Sequence, residues 1–240
     1  MATILAIEAA SDFFSLAILH KGNVIERVAP AARSHSKLLY PMLNEIMAEL
    51  EIKPNQLDAV SFVNGPGSFT GLRIAAATAQ GIGFANDIPL LPVSTLQAMA
   101  QQAYAEFQAN EVIPLMDARM QEIYVGHYKL DSNKLMQAAC PDQIAPATIN
   151  PDDLKFNTQE DVFACGMGLA TLKDVLHENW ANIYQASDDK QVLKAHSLLP
   201  LACYQLENNI VSAADEVELV YLREQDHWKT IKQQKALKQQ

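Results

Sequence analysis

The sequence predicts an α/β protein of two lobes, each a mixed sheet with flanking helices, and three observations carry that expectation. Predicted elements run strand, strand, strand, helix, strand, helix, strand, helix as far as residue 107, and after Asn110 a similar order begins again. Both opening strands end in an acid, at Ile7-Glu8-Ala9 and at Met116-Asp117-Ala118. Both halves also place a Gly-x-Gly turn after a later strand, at Gly65-Pro66-Gly67 and Gly166-Met167-Gly168. Identity between the halves is low, so the repeat is one of topology.

The elements follow in order. Residues 4–7 read as a first, apolar strand, and 14–19 and 23–28 as two more, joined through His20-Lys21-Gly22 as a hairpin. A helix is predicted over about 36–50, with Ser34 and Ser36 available as caps and Pro41 restricting its first turns. Its apolar residues, among them Leu39, Tyr40, Met42 and Met47, span roughly 200° of arc, where about 100° is enough to face one core. Either the helix is sandwiched inside its own lobe or it meets a second neighbour.

The stretch Asn64-Gly65-Pro66-Gly67-Ser68-Phe69-Thr70-Gly71-Leu72-Arg73 is the one the chain is organised around. The run 59–63 leads in as a buried strand; the glycines supply unusual dihedrals, Pro66 fixes the bend, and Ser68 or Thr70 caps the helix that follows over about 69–85. That helix is apolar nearly all round, with Arg73 and Gln80 on one face. Gly71, Ala75, Ala79 and Gly83 form a stripe of minimal side chains. A helical glycine costs roughly 0.5–1 kcal/mol relative to alanine, so a close approach is expected there, either by the chain's own sheet or by another subunit. A strand, glycine turn and helix start can also cradle a phosphate, although no Gly-Lys-Ser/Thr follows.

A strand at 90–93 and a helix from Ser94 to about 107 complete the first half. The second half reads as strands at 112–116 and 123–130, a weaker one near 134–139, a helical start at 151–154 and a strand at 161–165. A helix from the Gly168 turn to about His177, a strand at 182–185 and a last helix at 195–207 follow. The expected division is a ribonuclease-H-like lobe over 1–108, a second over 109–222 whose last helix packs against both, and a basic tail over 223–240. In open α/β sheets ligands lie beyond the carboxyl ends of the strands. Glu8, Gly65, Gly67 and Asp117 are therefore the candidates for a cleft between the lobes, unless the two acids only cap their own turns.

With 49% hydrophobic and 19% charged residues the composition is globular, and the net charge of −10 argues against autonomous binding of nucleic acid. A nucleic-acid role remains open inside a complex whose other subunits carry positive charge. Cys140, Cys165 and Cys203 are widely spaced and form no CxxC pair, so neither a disulfide framework nor a zinc site is indicated. The first residues reach Glu8 too soon for a signal peptide, and no run approaches the roughly 18 apolar residues of a membrane span, so no membrane association and a cytoplasmic location are expected.

On these residues the chain resembles the bacterial TsaB (YeaZ) family, paralogues of the TsaD/Kae1 proteins in the actin-like ATPase (ASKHA) superfamily. The resemblance rests on Ile4-Leu5-Ala6-Ile7-Glu8-Ala9-Ala10, on Arg33-Ser34-His35-Ser36 with Leu39-Tyr40-Pro41, and on Gly65 to Arg73. It continues in Pro92-Val93-Ser94-Thr95-Leu96, in Met116-Asp117-Ala118-Arg119 with Glu122-Ile123-Tyr124, and in Val220-Tyr221-Leu222-Arg223. It implies a non-catalytic scaffold subunit of the machine that installs threonylcarbamoyl on the adenosine beside the anticodon of ANN-decoding tRNAs. The implied partners are a TsaD-type transferase subunit, a TsaE-type ATPase and, for the isolated protein, a second copy of itself, with tRNA reached only through the complex.

TsaD-type subunits hold an iron or zinc ion on two histidines one helical turn apart; Thr95 and Met99 stand at those places here, so no metal is expected. The first strand of the family usually ends Asp-Thr-Ala, whereas this one ends Glu8-Ala9-Ala10, so ATP binding is expected to be weak or absent. The alternative is a stand-alone actin-like ATPase or a glycoprotease-like peptidase, for which neither His35 nor Cys140 has an identifiable catalytic partner. The expected partner surface is a four-helix contact through Leu39, Tyr40, Met42, Met47, Gly71, Arg73, Ala75, Ala79 and Gly83. Lys229, Lys232, Lys235 and Lys238, beside Trp228, mark the tail either as a solvated end or as a small basic arm for tRNA or an acidic protein.

Overall fold

The computed structural model describes residues 2–31, 35–158 and 161–223. In the first half β1 (Ile4–Glu8), β2 (Phe13–His20) and β3 (Asn23–Pro30) form an antiparallel meander. β4 (Ala59–Gly65) and β5 (Leu90–Ser94) join in parallel on the other side of β1, giving the order β3-β2-β1-β4-β5. Every residue of β1 is buried, as the near-continuous apolar run of a central strand covered on both faces requires.

The second half repeats this plan. β6 (Glu111–Arg119), β7 (Glu122–Leu130) and β8 (Met136–Pro146) are antiparallel, and β9 (Phe163–Cys165) and β10 (Ala186–Asp188) continue in parallel beside β6. The order β8-β7-β6-β9-β10 is that of the first sheet, so the two lobes have the ribonuclease-H-like plan that the strand pattern predicts. β8 is longer than expected and includes Pro141, which an edge strand with irregular register tolerates.

The helices do not respect the division of the chain at residue 108. α1 (His35–Glu49) and α2 (Phe69–Asn86) cover the outer face of the first sheet, over a core of Leu5, Ile7, Phe14, Leu39, Ile46 and Phe62. α3 (Thr95–Phe107) packs chiefly on β6, β7 and β8 of the other lobe. The last helix, α5 (Leu199–Glu207), entered through a 3₁₀ turn at Ala195–Leu198, packs back on β1, β4 and β5. The halves thus exchange their final helices. One buried cluster results, joining Ile4, Leu91 and Val93 to Val112, Tyr128 and Met136 through Leu96, Ala100, Leu199 and Ala202.

Two expectations for the second half are corrected. α4 (Gly168–Thr171) is a single turn and stops well short of His177, because the His177 N–H donates to the Ala147 carbonyl at 3.3 Å and its Nδ1 accepts from Asn179 N at 3.1 Å. The strand expected at 182–185 begins only at Ala186; Ile183 and Tyr184 pack instead around the buried Trp180. The expected basic tail from 224 onward, with its four lysines, and Arg33 and Ser34 lie outside the described residues.

The small-residue stripe of α2 faces the chain's own sheet. Ala75 and Ala79 are fully buried, a Cβ on Gly71 would collide with the Ala9 carbonyl oxygen, and one on Gly83 would lie 2.8 Å from Leu90. Gly81, on the opposite side, has nothing among the described residues within 4 Å of such a Cβ. Gly81→Ala should therefore raise stability by roughly 0.5–1 kcal/mol, and Gly71→Ala should lower it by about 1–3 kcal/mol. Urea unfolding midpoints check both signs.

Candidate functional site between the lobes

The carboxyl ends of β1, β4, β6 and β9 open toward one cleft of about 780 Å3. The first lobe lines it with residues 10–13, 66–69 and Arg73, and the second with residues 116–119, Tyr124 and Met167. The buried Thr95, Met99 and Gln191 lie between.

The wall on the first lobe is built by close backbone contact. β4 ends at Gly65 (φ +122°), the Gly65–Pro66 peptide is cis, and Gly67 (φ +154°) turns the chain into α2. Ser68 caps that helix, its Oγ accepting from Gly71 N at 3.3 Å. Ser68 N donates to the Ala10 carbonyl at 2.7 Å, and a Cβ on Gly67 would lie 2.7 Å from the Ala10 Cβ. Ala10 thus fills the space beside the glycine turn and takes one of the amides at the start of the helix.

The four expected cleft residues separate. Gly67 and Asp117 line the cleft; Gly65 does not, and packs beneath Val220. Asp117 does both things foreseen for it. It faces the cleft while its Oδ1 accepts from Arg119 N at 2.7 Å and its Oδ2 from Arg119 Nη1 at 3.1 Å. Glu8 is corrected: it is 0% exposed, lies off the cleft, and folds back so that its Oε1 accepts from Ala10 N at 2.8 Å. Burial pushes its carboxyl up to about 8 against the backbone hydrogen bonds of Ala10 and Ser11, so it is largely neutral at pH 7.

Thr95 and Met99 stand one turn apart on α3 and line the cleft, at the two positions where the resemblance implies histidines in a metal-bearing subunit. A hydroxyl and a thioether do not fit such an ion as ligands. Among the described residues no group of three or more His, Cys, Asp or Glu side chains gathers in a way that could hold a metal. Cys140 sits on the β8 edge, where burial pushes its thiol up. His35 opens α1, and its side chain lies outside the described residues.

Of the expected partner residues, Leu39, Met42 and Met47 are core, as are Gly71, Ala75, Ala79 and Gly83, while Tyr40 is 65% exposed. The wide apolar arc of α1 is taken up by its own lobe. Arg73 belongs to the cleft mouth, its guanidinium carbon 3.8 Å above the Phe69 ring and its Nε donating to the Tyr221 hydroxyl at 3.2 Å. Sequence reasoning assigned no site role to Tyr221, Arg223 or Gln191; only the Val220-Tyr221-Leu222-Arg223 motif signalled the first two.

Glu8 gives a pH dependence with a definite sign. Its folded pKa, about 8, lies above the ordinary carboxylate value of 4.5, so the folded protein holds a proton that the unfolded chain releases. The associated stability is complete below pH 4.5 and is lost as pH rises toward 8. Glu8→Gln should flatten thermal stability across that window, and melting curves at stepped pH check it.

Residues 26–232 match the family model described as TsaD, tRNA N6-adenosine threonylcarbamoyltransferase. The chain is 33% identical to the tRNA threonylcarbamoyladenosine biosynthesis protein TsaB of Haemophilus influenzae, with 95% of this chain and 97% of that protein covered. It is 30% identical to the protein of the same name from Escherichia coli, at the same coverage. The solved structure of YeaZ from Pseudomonas aeruginosa superposes with a TM-score of 0.84 at 31% identity, covering 92% of this chain and 100% of that one. The chain belongs to the TsaB (YeaZ) family.

Proposed function

We propose that the protein acts in tRNA threonylcarbamoyladenosine biosynthesis as a non-catalytic subunit that supports a TsaD-type transferase subunit through the outer faces of α1 and α2. Family membership supports the pathway. The observation that carries the pairing is the exposed face of α2, together with the exposed Tyr40 on α1. Phe84 is 85% exposed there, and Ala77, Gly81 and Ala85 form a second stripe of small residues, turned outward. A helical glycine facing open space has no use inside the monomer, whereas a partner helix packing closely against it gives it one. The same face is the proposed homodimer contact of the isolated protein, so the two partners compete. A TsaE-type ATPase joins the assembled pair, tRNA is reached only through the complex, and the location is cytoplasmic. No helix among the described residues is long and apolar enough to cross a membrane.

The reading as a partner without chemistry of its own is supported by Thr95 and Met99 in place of metal ligands and by Ala10 packed against the glycine turn. Calorimetry should find a dissociation constant for ATP weaker than about 10 μM, roughly −7 kcal/mol, and metal analysis of the purified protein should find no stoichiometric iron or zinc.

Phe84→Asp and Gly81→Leu should abolish co-purification with the transferase subunit and shift the isolated protein to monomer on a sizing column. Neither side chain is packed inside the lobe, so the melting temperature of the monomer should hold. Retention of both pairings would place the contact elsewhere.

A further inference from the structure

After α5 the chain returns along the first lobe. Ser212 pairs with Leu90 through two backbone hydrogen bonds of 2.9 and 3.0 Å, and Gln80 Nε2 donates to the Ala214 carbonyl at 2.8 Å. Val220 N donates to the Asn64 carbonyl at 2.8 Å, with the bare Gly65 directly beneath it. The Tyr221 ring lies 5.6 Å from Phe69, and its hydroxyl accepts from Arg73. Two residues later the chain has reached the other lobe. Arg223 Nη2 donates to the Ala118 carbonyl at 3.1 Å and pairs with Glu122, and Nη1 lies 3.5 Å from Met120 Sδ. Residues 220–223 line the cleft throughout this crossing.

The turn that Arg223 grips is strained. Arg119, Met120 and Gln121 are three successive non-glycine residues in the left-handed region, at φ 68°, 57° and 60°, a conformation that persists only where surrounding contacts hold it. A second tie across the mouth, Arg119 to Asp12 at 3.6 Å, joins two well-exposed side chains and is weak in water. Beneath lie Thr95 Oγ1 and Gln191 Oε1, buried without hydrogen-bond partners among the described residues, a cost to the closed arrangement.

We propose that residues 218–223 form a strap that holds the two lobes closed over the cleft, with Arg223 as its clasp on the 119–121 turn. Releasing the clasp frees the turn to relax and lets solvent or a small polar ligand reach Thr95 and Gln191. Closure is then set by the chain's own C-terminal segment rather than by a bound nucleotide. The inference does not depend on the proposed partner.

Hydrogen exchange on the full chain tests it. Arg223→Glu and Glu122→Arg should each speed exchange of amides at 95–99 and 191–193 about tenfold, since a charge-assisted hydrogen bond is lost, with amides in β1 and β4 unaffected. The double variant Arg223→Glu/Glu122→Arg should recover most of the protection. Removing 224–240 should change nothing at these amides, whereas removing 218–240 should deprotect them. Unchanged exchange in Arg223→Glu, uniform acceleration across the protein, or no recovery in the double variant would each overturn the strap.

Discussion

The backbone of α2 meets the backbone that follows β1, and the rest of the first lobe is arranged to permit it. Gly71 lets the helix touch the Ala9 carbonyl, and Gly67 makes room for Ala10. Ser68 N closes the contact with a hydrogen bond to Ala10. A methyl group at either glycine would force the helix off the sheet. From that contact follow the direction of α2, the exposure of its other face, and the shape of one wall of the cleft. The neutral Glu8 belongs to the same constraint: the turn at Ala9 and Ala10 is tight enough that its acid folds inward to hold it.

The plan of the fold was legible because strand periodicity, glycine turns and the repeated order are local signals. The first half was read almost to the residue, since its helices are long and capped by Ser68 and Ser94. In the second half β6, β7, the turn at Pro151–Leu154 and the last helix were read nearly as well, but the stretch from Gly168 to Tyr184 was not. Its apolar residues are gathered around Trp180 in short turns, and Ile183 and Tyr184 mimic a strand while serving as packing.

The cleft was legible in outline only. Asp117 and Gly67 could be placed from the rule that ligands sit at strand ends, but Glu8 is chemically similar to Asp117 and takes the opposite direction, which only burial decides. The small stripe of α2 announced a close approach without announcing the side, and the chain offers two such stripes. Nothing local in Tyr221 or Arg223 marks them as cleft residues, because their partners Phe69, Arg73 and Glu122 lie a hundred residues or more away in the chain.

The exchange of final helices bears on how the chain acquires its structure. During synthesis the first sheet emerges complete by Ser94, yet α5, which covers its inner face, is a hundred residues away. The inner apolar surface of that sheet, Ile4, Ala6, Leu91 and Val93 among it, must wait for the end of the chain. Such non-local closure is slow relative to local contacts, and it makes the two lobes a single cooperative unit despite their repeated topology. A nascent first half is therefore sticky in the cell until its last helix arrives. Truncation before Glu207 would leave an aggregation-prone fragment rather than a smaller working lobe.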